Sequence, residues 1–266
     1  MTTSHPPHPG ALTVREAAAA CHAGTLDADT LLRVMMRHDG WRVAATPDAH
    51  GRPKLTVLTA PSGDRILELF SDDEALATFL AGAPGEAGTE MVTVTGWDLF
   101  TRLPADAVAT VNVDPGTSLK FSWAGDRIEV LRAWARTVRV EVALEDPDAV
   151  VDPFAILGGY DAYFMVARAG AEGHEVVLAP DDTRNLAAVF TADDHVDTFV
   201  EMLGDGLGED PARMRYDGAT LFALLERFDL DGLVFNPASD RPRALASGAL
   251  AELVRGAERA NGHAHH

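Results

Sequence analysis

The residues with most scope for chemistry in this chain recur in pairs. Asp114 and Asn236 each precede a proline, in Val113-Asp114-Pro115-Gly116 and Phe235-Asn236-Pro237-Ala238, and each follows an apolar run. Asp and Asn before proline form turns whose side chains bond nearby backbone. With Gly116 and Ser239 beside them, these tips are the candidate recognition loops. Trp97-Asp98 offers a helix-capping acid next to a large aromatic, and an exposed Trp97 would suit a binding hot spot. The acid pairs Asp72-Asp73 and Asp193-Asp194 carry the residue types of acid–base catalysis. Their places behind Ser71 and Thr191, however, are those of helix-start capping boxes, hydroxyl first and acid three residues on.

Other reactive patterns do not assemble. His22, His38, His50, His174 and His195 are dispersed with no ligand spacing between them, so no metal site is expected. Gly204-Asp205-Gly206-Leu207-Gly208-Glu209 lacks the Lys and Ser/Thr of a phosphate loop and has the wrong glycine spacing for a dinucleotide fingerprint. No Gly-x-Ser-x-Gly nucleophile elbow occurs. The single cysteine, Cys21, falls at helical spacing from Val14, Ala17 and Ala18 and reads as a small buried hydrophobe. The expectation is a protein without catalytic residues or cofactor.

Composition narrows the partners. Against 22 basic residues stand 41 acidic ones, a formal charge of -19 that repels nucleic acid and anionic membrane surfaces and permits a basic protein partner. No apolar run reaches the roughly 18–20 residues that span a bilayer. With no signal sequence legible and one cysteine, the expected location is the cytoplasm.

The elements that position these residues occur twice. Shifted by 120, Leu58 falls on Leu178, Phe70 on Phe190, Asp73 on Asp193 and Thr78-Phe79 on Thr198-Phe199; shifted by 122, Leu99-Phe100 falls on Leu221-Phe222 and Pro115 on Pro237. The change of shift falls in loops, Ala81–Glu90 and Glu201–Arg213, where insertions belong. Each copy reads as two strands joined by a turn, a third strand, a capped helix, a strand, a short helix, a strand ending at the Asx-Pro tip, and a last helix. The fold class is therefore α+β (mixed α/β): two tandem copies of a small module, a mixed sheet covered on one face by helices. Residues 1–12 are expected to be disordered, 13–145 to form the first module with an N-terminal helical extension, 154–257 the second, and 258–266 a flexible tail. Between the copies, Val138, Val140, Val142 and Leu144 alternate with Arg139, Glu141 and Ala143 like a half-buried strand, and Glu145–Pro153 reads as a linker.

This order of motifs resembles the SseB family, the bacterial enhanced serine sensitivity proteins, in their N-terminal domain. The second copy carries the likeness through Val189-Phe190-Thr191-Ala192-Asp193-Asp194, Phe199, Leu221-Phe222 and Gly232–Ser239; the first through Leu69–Glu74, Phe79 and Trp97–Phe100, with Asp114-Pro115 where the family has Asn-Pro. The resemblance carries over no catalytic residue, cofactor or ligand. Together with the duplicated module and the negative charge, it leads to the expectation of a protein-binding adaptor or regulatory protein, secretion-linked or toxin-neutralising. Two alternatives stand beside it. One is a small-molecule sensor holding its ligand between the modules; the other is an enzyme of undescribed type, which would need polar groups converging in a cleft. Oligomeric state is not legible.

Overall fold

In the computed structural model, residues 12–47, 53–82, 90–103, 107–170, 173–207 and 211–263 are described. Residues 1–11 of the expected disordered start, residues 48–52 between the first two strands and residues 83–89 of the loop Ala81–Glu90 lie outside them. The chain divides into two compact units, 1–138 and 139–266.

Unit 1 opens with α1 (Val14–His22), held by the capping box of Thr13 and Glu16, and α2 (Ala28–Arg37), capped by Asp27. Then follow β1 (Trp41–Pro47), β2 (Pro53–Leu55), β3 (Leu58–Thr59), β4 (Arg65–Phe70), α3 (Asp73–Gly82), β5 (Glu90–Val94), α4 (Gly96–Arg102), β6 (Thr110–Val113), β7 (Phe121–Ala124) and α5 (Arg127–Glu145). Unit 2 takes the end of α5 and continues with α6 (Pro153–Gly158), β8 (Tyr163–Gly170), β9 (Gly173–Val176), β10 (Leu178–Ala179), β11 (Leu186–Val189), α7 (Asp193–Leu203), β12 (Ala212–Tyr216), α8 (Gly218–Leu225), β13 (Gly232–Phe235), β14 (Arg243–Ala246) and α9 (Gly248–His263).

The strand pairings repeat almost residue for residue. In unit 1 the described strands run β2-β1-β4-β6-β7, with β5 on β1 and β3 on β4. Trp41 pairs with Val94 and, 122 residues on, Tyr163 pairs with Tyr216. The parallel ladder Leu67–Val111 recurs as Ala187–Leu233, and the antiparallel Thr110–Ala124 as Gly232–Ala246. Even the thinnest junction corresponds: Arg42 pairs with Phe70 in unit 1, and in unit 2 Phe164 and Phe190 exchange two backbone hydrogen bonds of 2.9 Å, joining β8 to β11. Both halves therefore fold as the same mixed α+β module.

Four expectations are corrected. The second strand expected in each copy is two: in unit 1, β2 pairs with β1 and β3 with β4, as β9 pairs with β8 and β10 with β11 in unit 2. The expected strand at 138–144 is the end of helix α5. Buried positions run along it at helical spacing, Leu131, Ala135 and Val138 at i, i+4, i+7, and further along Val140, Ala143 and Leu144 join the unit 2 core. Helices cover both faces of the unit 2 sheet. One face of it packs on Leu157, Phe222 and Leu253, the other on Val196, Phe199 and Leu207, which is why every residue of β11 is buried. Finally, α9 continues through His263, past the start of the expected tail; Ala257 is buried and Arg259 grips Asp152 at 2.8 and 2.9 Å. Helix α6 starts at Pro153, the last residue of the expected linker, and packs on α9 within unit 2.

One backbone approach fixes the short helices. A Cβ on Gly96 would lie 2.1 Å from the Met35 carbonyl oxygen, and one on Gly218 2.5 Å from that of Gly158. Only glycine lets α4 and α8 start so close to α2 and α6. No helix among the described residues is long and apolar enough to cross a membrane.

Candidate functional site

The polar residues gather where the two parallel strands of each unit end. Asp114 and Asn236 extend those ladders by one bond, their amides donating to the carbonyls of Leu69 and Val189 at 2.9 Å each. Both then turn into the left-handed region, φ 47° and 49°, which Asp and Asn tolerate better than other L-residues. That turn aims each side chain back across the sheet. Asp114 Oδ1 accepts from the Ser71 amide and Oδ2 from the Ser71 hydroxyl, both at 2.7 Å. In unit 2, Asn236 Oδ1 accepts from the Thr191 amide at 3.0 Å while its Nδ2 donates to Thr191 Oγ1 at 2.9 Å. All four residues are buried.

A ring side chain closes each clamp from below. His38 Nε2 lies 2.9 Å from the Ser71 carbonyl, and the Tyr160 hydroxyl donates to the Thr191 carbonyl at 2.8 Å. Each ring stands edge-on to the aromatic three residues later, His38 on Trp41 at 5.1 Å and Tyr160 on Tyr163 at 4.9 Å. Those aromatics in turn donate to equivalent carbonyls, Trp41 Nε1 to Met35 at 3.0 Å and the Tyr163 hydroxyl to Leu157 at 2.9 Å. Different side chains thus make one hydrogen-bond pattern in both units.

The expected capping boxes are not what forms. The hydroxyls of Ser71 and Thr191 are engaged in the clamps, so in unit 1 Asp72 caps α3, accepting from the Ala75 amide at 2.7 Å. At α7 the cap residue is Ala192, which has no side-chain bond to give.

The electrostatics differ between the copies. Burial raises the Asp114 carboxyl above its ordinary 3.8; the two bonds from Ser71 oppose this, nearby Asp72 adds to it and Arg15 opposes it. Arg15 reaches Glu74 at 2.7 Å and Asp72 at 3.5 Å. Beside the Thr191 clamp lies a carboxylate instead: Glu141, with Thr191 Oγ1 3.5 Å and His195 Nε2 3.2 Å from its Oε1. Thr191, His195 and Glu141 have the types of a catalytic triad but not its order. There the imidazole must stand between hydroxyl and acid; here the acid stands between the other two, and Thr191 has no exposed surface. The cluster locks α5 to the strand end.

Of the residues chosen from sequence, Asp114 and Gly116 share one loop and Asn236 and Ser239 share the other. The expected recognition tips carry their Asx side chains inward, while Gly116 (φ 87°) is exposed and Ser239 is half-buried. The Ser239 amide donates to the Asn236 carbonyl at 2.9 Å, and its hydroxyl accepts from the Arg241 amide at 3.3 Å. Trp97 is half-buried on α4, where Asp98 pairs with Arg102 at 2.8 Å. Sequence reasoning missed His38, Tyr160, Ser71 and Thr191 as a set. The signal was present: at shifts of 122 and 120 these align polar on polar.

Comparison with known proteins adds little. No protein-family model matches the chain. No curated protein matches it. Among solved structures, it is similar to Anabaena Tic22 (protein transport), with 10% identity over 76% of this chain and 88% of that chain at a TM-score of 0.22, too low to support an argument about fold or function.

Proposed function

We propose that this chain is a non-catalytic, cytoplasmic adaptor of SseB type that binds a basic protein partner, in a secretion-linked or toxin-neutralising setting. One observation carries the reading: the polar side chains best suited to chemistry face inward onto strand-end amides, while the formal charge of -19 remains to act on a partner. Such a field steers a cationic surface and speeds its association. Exposed leucines at matching places, Leu58 and Leu178, offer apolar contact on both units.

The test is capture by the full chain from an extract of its source organism, at about 50 mM and about 300 mM salt, followed by association kinetics with the purified partner. A basic protein that binds at low salt, with an on-rate falling roughly tenfold or more at high salt, is expected. Failure to retain any protein at low salt, or a partner whose on-rate ignores salt, refutes the reading.

A further inference from the structure

The two units leave the same sheet edge open and treat it differently. Arg42 and Val43 pair with β4 and with β5 at once, so β5 lies on the side of β1 away from β4. Among the described residues, no strand pairs with its outer side. In unit 2, β12 holds that edge, paired with β8 in the same register 122 residues on. An open edge presents unpaired N–H and C=O groups, which folded proteins ordinarily guard with charged, above all basic, side chains. In β12, Ala212-Arg213-Met214-Arg215-Tyr216, both arginines are exposed. The opposite edges are guarded as well, β7 by Lys120 just before it and β14 by Arg243. In β5, Glu90-Met91-Val92-Thr93-Val94, the exposed residues at the arginine positions are Met91 and Thr93, and Glu90 at one end is the only charge. Its β-branched residues favour strand pairing.

The helix on that face has lost charge in parallel. Arg42 pairs with Asp73 of α3 at 2.9 Å and also donates to Thr93, so α3 starts over the face that carries Thr93 and Met91. In unit 2, α7 is tied to the same face by ion pairs from Arg213, to Asp197 at 2.6 Å and Asp193 at 3.4 Å. The unit 1 equivalents of Arg213 and Asp197 are Met91 and Ala77, and that of Glu201 is Ala81. Ala77, Leu80 and Ala81, at i, i+3 and i+4, are exposed together along one side of α3, Leu80 by 47%. Because Asp197 reaches the edge strand in unit 2, this is the side of the helix turned toward the edge. The fold does not demand a neutral surface here, since the second copy builds the same strand and helix with charges.

We propose that two copies of this chain associate through β5, antiparallel and edge to edge about a two-fold axis at Val92, so that the unit 1 sheet continues across the dimer. The strand is its own complement in that register. Met91 faces Thr93 of the second copy, Glu90 faces its Val94, Val92 faces its own equivalent, and no like charges are opposed. An axis normal to the sheet leaves both α3 helices on one face, where their Ala77, Leu80 and Ala81 sides flank the joint. A basic partner drawn by the negative field would meet a single carboxylate on this strand, whereas an identical neutral strand meets apolar neighbours on both faces. The site lies wholly in unit 1 and does not depend on the adaptor reading. Association opposes the charge of -19 on each copy, so screening by salt strengthens it.

The test is sedimentation velocity of the full chain from about 1 to about 300 µM, in about 0.15 M and about 0.5 M sodium chloride. A monomer–dimer equilibrium with a Kd of about 10–100 µM is expected at the lower salt, tightening about threefold or more at the higher. Ala77→Asp, Met91→Arg and Thr93→Arg together give α3 and β5 the charges of α7 and β12, and should weaken the dimer about tenfold or more with the urea midpoint retained. In the wild type, hydrogen exchange should show peptides over 90–95 gaining protection across the same concentrations while those over 212–217 do not. If the variant loses its midpoint, the exchange data decide alone. A chain that stays monomeric at about 300 µM overturns the proposal, as does a dimer that loosens with salt. So does a dimer untouched by the folded triple variant, or protection gained at 212–217 in place of 90–95.

Discussion

Asp114 is the place where the two copies solve one structural problem with different charges, and exchanging their solutions tests the clamp directly. Replacing Asp114 with Ala removes both bonds to Ser71 and strands a buried amide. The orphaned N–H costs about 1–3 kcal/mol and the lost hydroxyl bond about 1 kcal/mol. Alanine at φ 47° adds about 1 kcal/mol of left-handed strain. Relief of a buried charge offsets part, leaving an expected loss of about 2–4 kcal/mol. Asp114→Asn should instead keep both bonds, as Asn236 does with Thr191, and remain within about 1 kcal/mol of the wild type or exceed it. The pH dependence fixes the sign. Because the folded Asp114 holds its proton more tightly than an ordinary aspartate at 3.8, its contribution is fully present below 3.8 and is lost as pH rises through the folded value. The advantage of Asn over Asp should therefore grow with pH across that window and then level off. All four tryptophans, Trp41, Trp97, Trp123 and Trp134, lie in unit 1, so urea unfolding followed by tryptophan fluorescence from pH 3.5 to 7 reads this unit. A difference curve that is flat or falls with pH refutes the reasoning, as does an Asp114→Ala variant as stable as the wild type.

Further expected outcomes follow from the same geometry. Asn236→Asp places a second carboxylate on Thr191 beside Glu141 and should destabilise unit 2 by about 2–4 kcal/mol at pH 7, less at pH 4, measured by hydrogen exchange of peptides spanning 186–196. Tyr160→Phe leaves the buried Thr191 carbonyl without its hydroxyl donor and should cost about 1–2 kcal/mol in the same assay. Gly96→Ala drives a methyl into the Met35 carbonyl and should cost about 3 kcal/mol or more, read by tryptophan fluorescence in urea. Arg15→Ala removes part-exposed ion pairs with Asp72 and Glu74 and should cost less than about 1 kcal/mol, a difference that shrinks further in 0.5 M salt.

The repeat, the order of elements and the mixed character of each sheet were legible from residue types alone, because hydrophobic spacing and turn residues are local properties that survive in both copies. Asp114 and Asn236 were legible as turn formers at strand ends, which their left-handed φ of 47° and 49° matches. Their direction was not, since a left-handed Asx at a strand end can point either to solvent or across the sheet, and only the neighbouring strand, 43 to 45 residues earlier in the chain, decides which. The same holds for His38 and Tyr160, whose shared carbonyl target exists only once β4 and β11 are in place. Helix α5 shows the limit of periodicity: over 138–144 its buried residues Val138, Val140, Ala143 and Leu144 include an i, i+2 step that a short window reads as the alternation of a strand. The row Glu68–Asn112–Ser122, polar where the second copy has Ala188, Val234 and Ala244, was not legible for a similar reason. Three residues on three strands become neighbours only through pairing register, a long-range property that no local window of sequence contains.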